Sequence, residues 1–139
     1  MIVFQKILTI ETRPRSLVDI TPELVAAVTE SGVHSGTCAA FIEHTSASLV
    51  IQENADPAVQ RDLARWFDKL APEDASWEHD TEGTDDMPAH ARSAVTRTSE
   101  VIPVVRGELS LGMWQAVYVW EHRHRGLRRR VHLTIMGLS

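Results

Sequence analysis

The chain has 139 residues, 43% of them hydrophobic and 24% charged, with a net charge of -5 at neutral pH. That is the usual length of one domain, able to bury a core without a disulfide or structural metal. The single cysteine, Cys38, excludes an internal disulfide and suits a reducing cytoplasm. The acidic balance argues against general nucleic-acid affinity, and no apolar run approaches membrane-spanning length.

In chain order, residues 2–10 read as an opening strand. Gln5 and Lys6 interrupt its apolar run and no small-residue cleavage site follows, so a signal peptide is not expected. "TPELVAAVTESG" predicts a helix, with Thr21 as cap, Pro22 in the first turn and Gly32 as its stop. "GTCAAFIEH" reads as a strand, with Cys38, Ala40, Ile42 and His44 on one face, and "ASLVIQE" as its partner. Asp56 and Pro57 open a second helix whose Val59, Leu63, Trp66, Phe67 and Leu70 share a face, and Pro72 stops it. "MPAHARSAVTRT" predicts a short third helix capped by Asp86. "EVIPVV", "MWQAVYVWEHR" and "RRRVHLTIMG" read as closing strands. Along 114–123 neither face is cleanly polar, so both are expected to be covered, with a second subunit as one candidate cover. The expectation is a single α+β domain over 1–139, with mostly antiparallel strands and about three helices.

Three stretches carry chemistry. "HDTEGTDDMPAH" sets His79 and His90 around Asp80, Glu82, Asp85 and Asp86 with no basic residue between them. Neutral imidazole is a common metal ligand and carboxylates offset a cation's charge. The plain alternative is a solvated acidic loop. In "EHTSAS", His44 ends an apolar strand and is followed by Thr45, Ser46 and Ser48. The hydroxyls could meet a phosphate, or simply make a turn. With His44 added, three histidines would leave open coordination positions, as in a catalytic centre, and would suit zinc or another transition metal better than calcium or magnesium. The basic run "RHRGLRRR", 123–130, is either a solvated hairpin tip or a phosphate site, because arginine's planar fork matches phosphate oxygens. Cys38 reads as buried core.

The segments "HTSASLVIQENADPAVQRDL", "HDTEGTDDMPAH", "IPVVRGELSLGMWQAVYVWEHR" and "RRRVHLTIMG" resemble the YjbQ-like family, in order and over nearly the whole chain. Members of that family are commonly described as secondary thiamine-phosphate synthases. The resemblance implies a cytoplasmic α+β homotrimer with sites near subunit boundaries and a metal at His44, His79 and His90. It also implies polar roles for Glu82, Asp86, Gln115, Glu121, Arg123 and Arg130. Asp86 stands where the family often has Asn, and Met113 and Ala116 where it often has Thr and Gly. The activity implied joins hydroxymethylpyrimidine diphosphate to thiazole phosphate and releases pyrophosphate. On that reading Glu82, Asp86 and Glu121 are catalytic, Arg123, Arg130 and Ser46 bind phosphate, and Gln115 completes the site. Arg125 and Arg129 are expected in solvent. The partner is a small phosphorylated metabolite, and the cofactor is zinc or another divalent transition metal, with magnesium the alternative beside a diphosphate. A hydrolase using a metal-bound water, and a non-catalytic metal- or metabolite-binding trimer, are the rival readings.

Overall fold

Strict alternation builds the first strand: in β1 (Ile2–Glu11), Leu8 and Ile10 are buried while Val3 and Ile7 face out. A computed structural model describes all of residues 1–139. After β1 come β2 (Leu17–Asp19), α1 (Thr21–Ser31), β3 (Ser35–Ile42), β4 (Ala47–Glu53) and α2 (Pro57–Leu70). Then follow α3 (Asp86–Ala94), β5 (Ser99–Val105), β6 (Glu108–Leu109), β7 (Gln115–Glu121) and β8 (Arg128–Leu138). A five-stranded sheet has the order β1-β8-β3-β5-β6, and a three-stranded sheet the order β2-β7-β4. Every pairing is antiparallel. The fold is α+β with three helices, as expected.

The core lies between the sheets. Cys38, Ala40, Ile42, Val131, Leu133 and Ile135 come from the large sheet; Ala47, Leu49, Val117 and Val119 come from the small one; Leu24, Ala27 and Val28 come from α1. The other face of the small sheet is closed by α2, where Phe67 stacks on Trp120 with ring centroids 4.5 Å apart. Both faces of β7 are thus covered by the chain itself, and no second subunit is needed for that.

Several local expectations are corrected. β3 and β4 are not partners: β3 lies between β8 and β5, and β4 pairs with β7. A hairpin would have put the buried residues of both strands on one face of one sheet. The turn at 43–46 instead carries the chain across the core, so the two apolar faces meet. Thr21 does not cap α1, because its hydroxyl accepts the Val117 N–H at 2.9 Å. Asp86 is not the cap of α3 but its first residue, after Asp85. Of the expected apolar face of α2, only Phe67 is fully buried, and Trp66 and Leu70 are half exposed, since the sheet beneath is only three strands wide. Gly32 in the left-handed region does end α1 (φ 71°), and the Asp56 carboxylate does cap α2 through the Ala58 N–H at 2.9 Å. The short β2, three residues long, had no alternation to reveal it.

Candidate metal centre

The acidic loop between α2 and α3 is held at both ends. Trp77 donates its indole N–H to the Pro72 carbonyl at 3.0 Å. Asp85 accepts the Arg123 Nε–H at 2.9 Å and the His124 backbone N–H at 2.8 Å. These tertiary partners draw Asp85 away from the helix N–H groups it might have capped. Burial works to raise the Asp85 carboxyl, but the Arg123 and His124 bonds prevail and hold it down at about 2.

So anchored, the loop brings His79 to the first turn of α3. One helical turn beyond Asp86, His90 projects from the same face. One ligand atom each from His79, Asp86 and His90 falls within 4.8 Å of the others. Asp86 Oδ2 lies 2.7 Å from His79 Nε2 and 3.2 Å from His90 Nε2, and the two rings are 5.5 Å apart. Its other oxygen, Oδ1, takes Arg123 Nη1 at 2.9 Å, so the buried carboxylate is fixed and paired. Burial alone would raise Asp86, but the bond from His79 and the nearby His90 and Arg123 lower it. His79 is raised, chiefly by its bond to Asp86. The attraction that holds a proton there is equally available to a cation.

The tautomer of His90 is the informative detail. Its Nδ1 lies 2.8 Å from the Thr45 carbonyl oxygen, which only accepts, so Nδ1 carries the hydrogen. In the neutral ring Nε2 then presents a lone pair straight to Asp86 Oδ2, 3.2 Å away. Two lone pairs at that distance repel unless a proton or a metal ion lies between them. Backbone carbonyls commonly orient metal-binding histidines in this way. Two ligand atoms each about 2.0–2.1 Å from a tetrahedral zinc would sit roughly 3.3 Å apart, close to the His90–Asp86 spacing. Two imidazoles and one carboxylate suit zinc or another transition metal.

The other expected residues are distributed differently. Glu82 is beside the cluster, Oε2 lying 3.2 Å from His79 Nε2. His44 is outside it: Nε2 accepts the Arg130 backbone N–H at 2.9 Å and Nδ1 faces Arg129 Nη1 at 3.3 Å. Burial, then the Arg129 charge, lowers His44 below the usual histidine range. His44 and His90 do line one shallow cavity of about 270 Å³. Arg123 is occupied by Asp85, Asp86 and the Glu82 carbonyl. Arg130 pairs with Glu43 at 3.0 Å on the exposed side of β8. Ser46 is buried and its hydroxyl accepts Arg129 Nη2 at 3.0 Å. Gln115 begins β7 and Glu121 ends it, roughly 20 Å apart at strand rise, with Gln115 Oε1 accepting the Gly112 N–H at 2.7 Å.

Glu121 and Arg129 form a buried ion pair, Arg129 Nε to Oε1 at 2.8 Å, with Thr12 donating its hydroxyl to the same oxygen at 2.6 Å. The expectation that Arg129 is solvated is therefore wrong. A signal was present: Arg129 has the parity of Val131, Leu133 and Ile135, which point inward, whereas Arg130 and His132 point out.

The fold places the chain among small antiparallel α+β domains, and in this one two histidines and a carboxylate gather at the start of a short helix. The chain belongs to the YjbQ-like UPF0047 family, whose profile matches residues 6–138. It is 54% identical over 134 residues to a UPF0047 protein of Synechocystis sp., covering 96% of this chain and 91% of that one. It is 38% identical over 135 residues to UPF0047 protein YjbQ of Escherichia coli O157:H7, covering 96% and 98%. Among solved structures, a YbjQ-like protein from Sulfolobus solfataricus P2 aligns with a TM-score of 0.89 at 26% identity over 97% of each chain. A yjbq/upf0047 family protein from Clostridium acetobutylicum aligns with a TM-score of 0.87 at 34% identity, over 94% of this chain and 99% of that one.

Proposed function

We propose that the protein is a metal-dependent enzyme acting on a small phosphorylated metabolite. Thiamine-phosphate synthase, joining hydroxymethylpyrimidine diphosphate to thiazole phosphate with release of pyrophosphate, is the named activity. The observation that carries the metal is the convergence of one ligand atom each from His79, Asp86 and His90 within 4.8 Å of one another. His79, Asp86 and His90 would hold a zinc or similar divalent ion, which would supply positive charge beside a departing diphosphate. Arg123 keeps Asp86 turned toward the histidines, and the Thr45 carbonyl keeps His90 in the ligating tautomer. Glu82, largely exposed beside His79, orients that histidine or acts as a base. A cavity of about 560 Å³ lined by Trp77, Glu78, His79 and Met87 offers an aromatic and apolar wall for a heterocycle next to the centre. On this reading the enzyme works in the cytoplasm as a homotrimer; no helix is long and apolar enough to cross a membrane.

The test is elemental analysis of protein prepared without chelator, followed by synthase assays. The parent should carry close to one transition-metal ion per chain. His79→Ala and His90→Ala should lose the ion, and His44→Ala should keep it. Unchanged metal content in both of the first two variants rules out the centre. A metal-loaded parent that does not turn over the two thiamine precursors rules out the synthase and leaves the centre standing.

A further inference from the structure

Arg123 is held by Asp85 and Asp86, and Arg130 lies on the exposed side of β8; two further guanidinium groups near the centre share a cleft suited to phosphate. Arg15 lies in the turn before β2 at φ 41°, a left-handed conformation that a side-chain-bearing residue adopts at a cost in strain. The strain is repaid by position: the Arg15 backbone N–H donates to the Arg123 carbonyl at 2.9 Å, and its guanidinium lies 3.4 Å from Glu73 Oε1 and 3.7 Å from Asp68 Oδ1. Opposite stands Arg92 of α3, only 4% exposed, its guanidinium carbon 5.4 Å above the Phe67 ring. Arg92 donates through Nη2 to Asp68 at 3.2 Å and to the Ala71 carbonyl at 3.3 Å, but its Nε–H is buried with no acceptor. Both arginines line a cleft of about 400 Å³ together with Asp68, Pro72, Glu73 and Asp74.

One carboxylate oxygen of Asp68 thus serves two guanidiniums, Arg92 at 3.2 Å and Arg15 at 3.7 Å, from a side chain that is 63% exposed. An ion pair so open to water is weak. Arg92 is a buried charge short of acceptors, and such a group gains most from an anion with several oxygens. We propose that this cleft is a phosphate subsite in which Arg15 and Arg92 grip a monophosphate ester, displacing Asp68, which otherwise occupies the anion's place. The rim carboxylates Glu73 and Asp74 select an ester whose remaining part is cationic or rich in hydrogen-bond donors. The assignment rests on the enzymatic reading above. Glu73 also lines the adjoining cavity of about 290 Å³ that His79 borders, so a phosphate held here leaves the rest of the ligand directed toward the centre. Arg15 and the centre share a scaffold as well, since Arg123, whose carbonyl receives the Arg15 N–H, bonds Asp86 through its side chain.

The test is calorimetric titration of the full chain with phosphoethanolamine, and with inorganic phosphate as the unsubstituted probe. Arg15→Gln should weaken phosphoethanolamine binding at least about tenfold, the usual consequence of losing a charge-assisted hydrogen bond. Asp68→Asn, an isosteric change that keeps an amide oxygen to accept from Arg92, should tighten binding severalfold by removing the competing negative charge. Phosphoethanolamine should bind more tightly than inorganic phosphate, and Glu73→Gln should narrow that difference. His90→Ala protein should retain the binding. Binding that survives Arg15→Gln unchanged, or that Asp68→Asn fails to tighten, overturns the subsite. Binding lost in His90→Ala and kept in Arg15→Gln places the phosphate on the metal, which overturns the subsite while supporting the metal centre. Phosphate binding that follows this pattern in a parent protein that, prepared without chelator, carries no metal sinks the enzymatic reading instead and leaves the subsite standing.

Discussion

His122 shows how far a single side chain can depend on its surroundings. It is fully buried, its Nε2 lies 2.8 Å from the Ser48 hydroxyl, and its Nδ1 has no partner. Burial first, then the positive charges of Arg92, Arg129 and Arg15, pushes it down to about 3. An unfolded histidine takes up its proton near pH 6.5. Between about pH 3 and that value the unfolded chain therefore binds one proton that folded His122 refuses. Stability falls as the pH drops through this window, by about 1.4 kcal/mol per unit from this residue alone. Urea unfolding of the parent at a series of pH values from 7 to 4 should show this slope on top of the carboxylate background. His122→Phe, which keeps an aromatic ring beside Phe67 and Trp120, should unfold with a shallower dependence. Parallel curves for the two proteins would contradict the assignment. The same scale explains the start of α3: Asp85 stands at the cap position but gives its carboxylate to the Arg123 Nε–H and the His124 backbone N–H, while His79 and Arg123 take the oxygens of Asp86.

At the level of elements, two facing glycines bring β3 and β8 close together in the large sheet. Gly36 pairs with Gly137. A Cβ on Gly36 would fall 1.9 Å from the Met136 carbonyl oxygen, and one on Gly137 would fall 2.1 Å from the Ser35 oxygen. Backbone stands in the way in both cases, so the strands would have to separate. Gly36→Ala should destabilise by about 1–3 kcal/mol, the range for overpacking a rigid site. A lowered urea midpoint at unchanged m-value is the expected result, and an unchanged midpoint would show that the strands yield freely. By contrast α2, fixed by Phe67 as its one fully buried side chain, is the loosely attached element. That looseness matters because α2 carries Asp68 and leads into the loop of His79.

For the whole molecule, the outstanding feature is the outer face of the five-stranded sheet. Val3, Phe41, Val101, Val105, Met136 and Leu138 are all exposed there. Apolar side chains gathered on one face of a sheet mark an association surface. The proposed trimer should use this face, with β8 supplying Met136 and Leu138, and not β7, which the chain covers itself. Light scattering should give three chains per particle at micromolar concentration, and Val101→Glu or Met136→Glu should yield monomers. A monomeric parent, or glutamate variants that remain trimers, would count against it.

Most of the elements and much of the site's composition are legible in the amino-acid pattern. Alternation in residues 36–42 and 129–135, the Gly32 stop, the Asp56 cap and the acid loop between two histidines are local signals, read within a few residues of one another. Tertiary structure alone decided the partners. The inward faces of β3 and β4 could be buried by pairing in one sheet or by meeting across two, and alternation is the same in both. His44 and His90 are both preceded by segments that place them near a cavity, yet only His90 finds a carbonyl that turns its lone pair toward Asp86. His44 instead meets donors 85 and 86 residues away. Arg129 had an inward parity, but a buried arginine is tolerable only with a carboxylate and acceptors around it. Those come from Glu121 and Ser46, which only folding brings alongside. Local pattern sets which way a side chain points; the charge, donor or lone pair that it meets there is set by residues distant in the chain.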